Sequence, residues 1–140
     1  MKEHQSRKKP CKSCPFRRDN DLEKPNPGGS PPEVYIGQTR GPFILPCHKG
    51  KNYAGKQTDL SKALECAGAA IFRSNCEIPY KLPDQLLSLP KDTETVFSNE
   101  REFLNFYKNE NSEEPLSKEY LDFLLLRELL DADVKLVNRQ

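Results

Sequence analysis

Four of the five cysteines in this 140-residue chain fall in an order that constrains everything around them. Cys11 and Cys14 are separated by two residues, Cys47 follows after 32 more, and Cys66 after a further 18. A two-residue gap lets one turn aim both sulfurs at a single ion, and the remaining ligands must then arrive from elsewhere in the fold. Four thiolates close a tetrahedral site. Such a site ties distant segments to one point, so that metal binding contributes directly to folding. An odd count of cysteines, behind a start (MKEHQSRKKPC) that has charges but no apolar stretch, argues against the disulfide framework of a secreted protein. The expectation is a cytoplasmic protein whose clustered thiols serve a metal or redox chemistry.

Composition supports the need for such a tie. Only 35% of the residues are hydrophobic against 31% charged, and twelve prolines imply many irregular connections. The chain has room for one modest core. No segment approaches the run of about 20 apolar residues that a membrane span requires. The net charge of +1 conceals an asymmetry: residues 1–56 carry twelve Lys/Arg against five Asp/Glu, and residues 57–140 carry ten against sixteen. The basic side chains Lys2, Arg7, Lys8, Lys9, Lys12, Arg17 and Arg18 crowd around the first cysteine pair, a patch able to attract a phosphate backbone.

Along the chain, residues 1–10 read as a disordered basic arm and residues 11–140 as a single domain. Within it, 11–76 form the cysteine region and 77–140 a mainly helical region. Val34-Tyr35-Ile36 and Phe43-Ile44-Leu45, joined by GQTRGP, suggest two short strands and a turn. From Asp59 to Arg73, Leu60, Ala63, Leu64, Ala67 and Ile71 recur at helical spacing, with Cys66 on the flank of that stripe. Asn99 and Glu102 form a capping box for a helix carrying Phe103, Leu104, Phe106 and Tyr107. Ser117 caps a last helix running to about Ala132, whose apolar face is broad enough to require burial in this domain or against a partner. The fold class expected is α+β: a metal-nucleated N-terminal half with short strands and one helix, then a mainly helical C-terminal half.

The candidate metal ligands are Cys11, Cys14, Cys47 and Cys66. His48, adjacent to Cys47, is either an alternative ligand or a hydrogen-bonding group beside the ligands. Cys76 has no partner spacing and reads as a small buried hydrophobe. Zn²⁺ is the first choice, as the common ion of four-thiolate sites. A [4Fe–4S] cluster is the alternative, because Cys-Pro pairs and isolated later thiols also surround such clusters, and Ala67, Gly68, Ala69 and Ala70 offer space for one. A thiol–disulfide site at CKSC is a third possibility, though EHQSRKKP ahead of it is no strand. No Ser/His/Asp pattern or phosphate-binding glycine loop marks a catalytic site.

The succession CKSCPFR at 11–17, PFILPCHKG at 42–50 and ECAGAAI at 65–71 resembles a family of bacterial and phage proteins of unknown function. That family is marked by CxxCP followed by an aromatic and Arg, then an aromatic ahead of Cys-His, then Cys-Ala-Gly. The likeness covers roughly residues 8–73. It implies that Cys11, Cys14, Cys47 and Cys66 form the family's metal site with His48 alongside, and it brings no activity with it. The function expected is a non-enzymatic, metal-binding interaction module, phage-encoded on the resemblance, with a protein partner at the helical half. The alternatives are a nucleic-acid-binding module using the basic arm and an iron–sulfur or thiol redox protein.

Overall fold

The computed structural model describes residues 10, 14–20, 22, 30–43, 45, 65–79 and 86–138, the last seven by their backbone alone. Four helices carry the fold: α1 (Pro32–Thr39), α2 (Ala67–Cys76), α3 (Glu100–Lys108) and α4 (Lys118–Asn138). Among the described residues there is no sheet. An isolated antiparallel bridge between Arg17 and Val96 takes its place. The expected α+β class is therefore replaced by a helical one.

The correction begins at Val34-Tyr35-Ile36, which lies in α1. Pro32 occupies the first position of that helix, where its fixed φ favours a helical start and its missing N–H costs nothing. A three-residue apolar run carries no period of its own. Pro32, Ile36 and Thr39 then fall on one buried helical face, and Thr39 donates its hydroxyl to the Ile36 carbonyl. α1 packs against α4 at Gly37, where an added methyl would overlap the Leu124 carbonyl oxygen. At an exposed helical site Gly→Ala gains up to about 1 kcal/mol of helix propensity. Here the sign reverses: Gly37→Ala is expected to cost about 1–3 kcal/mol in denaturant unfolding, because two backbones must separate.

The helix expected over Asp59–Arg73 is also revised. Cys66 is extended (φ −71°, ψ 117°) and forms the N-cap of α2, which runs to Cys76 before Glu77 turns left-handed (φ 53°). Residues 59–64 lie outside the described residues. The chain cannot be helical through Cys66 because its amide is bonded to the Leu45 carbonyl at 2.8 Å. Ala67, Ala69, Ala70, Ile71 and Phe72 are all buried, so small residues let this helix be enclosed by its neighbours.

In the second half, Asn99 accepts from the Glu102 amide at 2.9 Å, as the sequence predicts. Glu102 reaches back to the Ser98 amide at 2.6 Å. Ser117 caps α4 through the Tyr120 amide at 3.1 Å, and α4 runs six residues past the expected end at Ala132. One aromatic cluster joins these elements: Phe16, Phe72, Phe97, Phe103 and Tyr107 are buried together. No helix among the described residues is long and apolar enough to cross a membrane.

Candidate metal centre

Of the four expected ligands, Cys14 and Cys66 are described, and the fold brings them together. Their sulfurs lie 3.4 Å apart although 52 residues separate them in sequence. Both side chains are buried, 1% and 8% exposed. Cys11, Cys47 and His48 lie outside the described residues. No group of three or more His, Cys, Asp or Glu side chains is placed to hold an ion among the described residues.

Local structure explains the meeting. Cys14 opens the segment Cys14–Asn20, a turn closed by the Arg17 amide on the Cys14 carbonyl at 3.1 Å. That segment is pinned to residues 95–97 by Arg18 N–H to Thr95 O (2.9 Å) and Phe97 N–H to Phe16 O (3.2 Å). Phe16 anchors it from inside. Cys66 sits at the start of α2, and Gly68 provides the clearance: a methyl there would overlap the Cys14 sulfur and crowd the Phe16 Cβ. The space that small residues open at Gly68 is thus filled by Cys14 itself.

The electrostatics ease ionisation of Cys66. The hydrogen bond with Cys14, the Ala69 and Gly68 amides at the helix start, and the Arg73 charge hold its thiol below the ordinary value, outweighing burial. Arg73 is itself fixed by Glu65 at 3.2 Å, and Glu65 also accepts from the Leu87 amide. Cys76 stands apart chemically: burial first, then the Glu100 charge and hydrogen bond, push its thiol well up. It ends α2 half-buried against the core.

Among the described residues Cys66 sits at a helix N-terminus, whereas the residues that follow Cys14 form a turn. The basic patch is also reapportioned. Arg17 bonds to Asp19 and the Pro10 carbonyl, and Arg18 to Glu102, Ser98 and the Thr93 carbonyl. Both arginines brace the cysteine segment. Lys2, Arg7, Lys8, Lys9 and Lys12 lie outside the described residues.

Tyr107 was not singled out by the sequence beyond its place on an apolar face. Its buried hydroxyl donates to the Pro15 carbonyl and accepts from Asn20 at 2.6 Å, locking the residue next to Cys14, and burial raises its pKa. Tyr107→Phe leaves that carbonyl without its donor and is expected to cost about 1–3 kcal/mol of stability. A denaturant titration of the two proteins measures it. Compared with family models, with curated proteins and with solved structures, the chain matches none.

Proposed function

We propose that this chain is a metal-dependent scaffold in which one zinc ion, held by Cys11, Cys14, Cys47 and Cys66, sets the arrangement of an interaction module. The observation that carries the reading is the buried approach of Cys14 and Cys66 to 3.4 Å. A tetrahedral ion with zinc–sulfur bonds of about 2.3 Å sets its thiolates about 3.8 Å apart, close to that spacing. In a [4Fe–4S] cluster each thiolate takes a different iron, which keeps the ligating sulfurs well apart. The near approach favours one ion.

Chain connectivity supports the other two ligands. Pro10, one residue before Cys11, is buried beside Gly68, with its Cβ 3.5 Å from where a Gly68 methyl would sit. Leu45, two residues before Cys47, accepts the Cys66 amide. Two residues of chain span at most about 7 Å, so both thiols are tethered within reach of the pair. The ion would supply structural cross-linking. The buried polar groups Glu65 and Arg73 near Cys66, and Asn75 at the other end of α2, tie segments to one another, which is the work of a scaffold.

Metal analysis of protein purified without oxygen, with an absorption spectrum, tests this. One zinc per chain and no visible absorption is the expected result. Iron and sulfide with absorption near roughly 400 nm would replace zinc by a cluster.

A further inference from the structure

The apolar surface of α4 is larger than this fold uses. Leu121 and Leu124 face the core, 8% and 1% exposed. Phe123, Leu126, Leu129 and Leu130 are 50%, 51%, 38% and 54% exposed. A helix apolar on opposite faces is normally buried on both. At about 100° per residue, Glu119, Phe123, Leu126 and Leu130 share an arc of about 60° on the outer face, with Arg127 at its edge.

The charges on this face identify what covers it. Glu119 and Arg127 lie four residues to either side of Phe123 and are both exposed. Along one helix they are about 12 Å apart and cannot pair with each other. The Arg127 guanidinium lies over its own Phe123 ring at 5.8 Å, which holds the cation at the seam.

We propose that α4 pairs with α4 of a second copy in an antiparallel, two-fold contact centred on Phe123, with Glu119 of each copy meeting Arg127 of the other. A parallel pairing would set Glu119 on Glu119 and Arg127 on Arg127, so charge selects the antiparallel one. The same operation lays Leu126 toward Tyr120 of the second copy and Leu130 toward Leu116. Tyr120 and Leu116 form the apolar side of an open groove of about 420 Å³ whose other walls carry Arg101, Lys108, Glu110 and Glu114. Four half-exposed side chains fall short of the roughly 800 Å² per partner of a stable interface, so the groove has to contribute. The inference rests on the reading of the helical half as the docking part of the module.

Sedimentation equilibrium of the full-length, metal-loaded protein from micromolar to millimolar concentration tests it, with metal content and helicity measured on every sample. The wild type is expected to show a monomer–dimer equilibrium. Glu119→Arg and Arg127→Glu should each weaken it about tenfold, since both symmetric pairs become repulsive, and the double reversal should restore it. Leu126→Asp, at an exposed position, should give a folded monomer. A wild type that stays monomeric, or a dimer indifferent to both reversals, overturns the proposal. Because metal content is read separately, a metal-loaded monomer removes the dimer and leaves the scaffold standing.

Discussion

Cys66→Ser protein is expected to bind no stoichiometric zinc and to lose the stability that zinc adds to the wild type, while its metal-free form is as stable as the metal-free wild type or slightly more so. The second half of that expectation makes the substitution informative. Cys66 is the N-cap of α2, and a serine oxygen there can accept from the same Gly68 and Ala69 amides that face the Cys66 sulfur. Serine is among the best N-cap residues and is smaller, so the helix itself has nothing to lose. Any deficit that appears only with metal present belongs to the ion. Structural zinc contributes on the order of 10–16 kcal/mol in small zinc-dependent folds at neutral pH, comparable to the whole 5–15 kcal/mol by which most domains are stable. Loss of one of four ligands should therefore lower the midpoint of thermal unfolding by more than any single core substitution. Calorimetry of both proteins, with zinc and after chelation, supplies the four values needed. If chelation leaves the wild type unchanged, the metal reading fails.

The same site gives the direction of its pH dependence. The Cys66 thiol is held below its ordinary value by Cys14, the α2 amides and Arg73. A thiol lowered in this way ionises more readily in the folded chain than in the unfolded one. Its contribution is complete above the ordinary thiol value and disappears as the pH falls through the folded one. At the proposed zinc site protons and zinc would compete for the same sulfur, so acidification would act against both together.

The meeting of Cys14 with Cys66 was legible because thiol spacing is a chemical signal that survives any change of secondary structure. The helix starts at Asn99 and Ser117 were legible for a related reason: a side-chain oxygen placed to accept from an amide three residues on is a local event. The misreadings share an opposite cause. Val34-Tyr35-Ile36 has strand-forming side chains, yet its conformation is decided by Pro32 ahead of it and by α4 across Gly37. That Arg17 and Arg18 also bond within the fold was not legible, because the partners involved, the Pro10 carbonyl and residues 93–102, are set by tertiary folding. The stripe that suggested a helix through Cys66 was interrupted by one long-range hydrogen bond, from the Cys66 amide to the Leu45 carbonyl.

Phe16→Ala is expected to destabilise the protein by about 3–5 kcal/mol, the usual cost of removing a fully buried phenyl ring. Phe16 is 1% exposed and lies within 5.1 Å of Phe72, 5.3 Å of Phe103 and 5.8 Å of Tyr35, ring centre to ring centre. Those rings come from α2, α3 and α1 in turn, so no single element can move in to fill the space. Phe106, partly buried at the edge of the same cluster, provides the comparison: Phe106→Ala should cost less, because solvent or a small shift can occupy its place. On the proposed zinc site, the loss at Phe16 should also reach the metal. Phe16 is two residues from Cys14, and its Cβ stands beside Gly68, where the Cys14 sulfur packs. Without the ring the segment Cys14–Asn20 loses its anchor in the core, and a chelating geometry there is no longer prepared before an ion arrives. Zinc affinity should then fall by at least tenfold in competition with a chromophoric chelator, whereas Phe106→Ala leaves it unchanged. Equal effects of the two substitutions on affinity would mean that the aromatic cluster supports the fold without preorganising the cysteines.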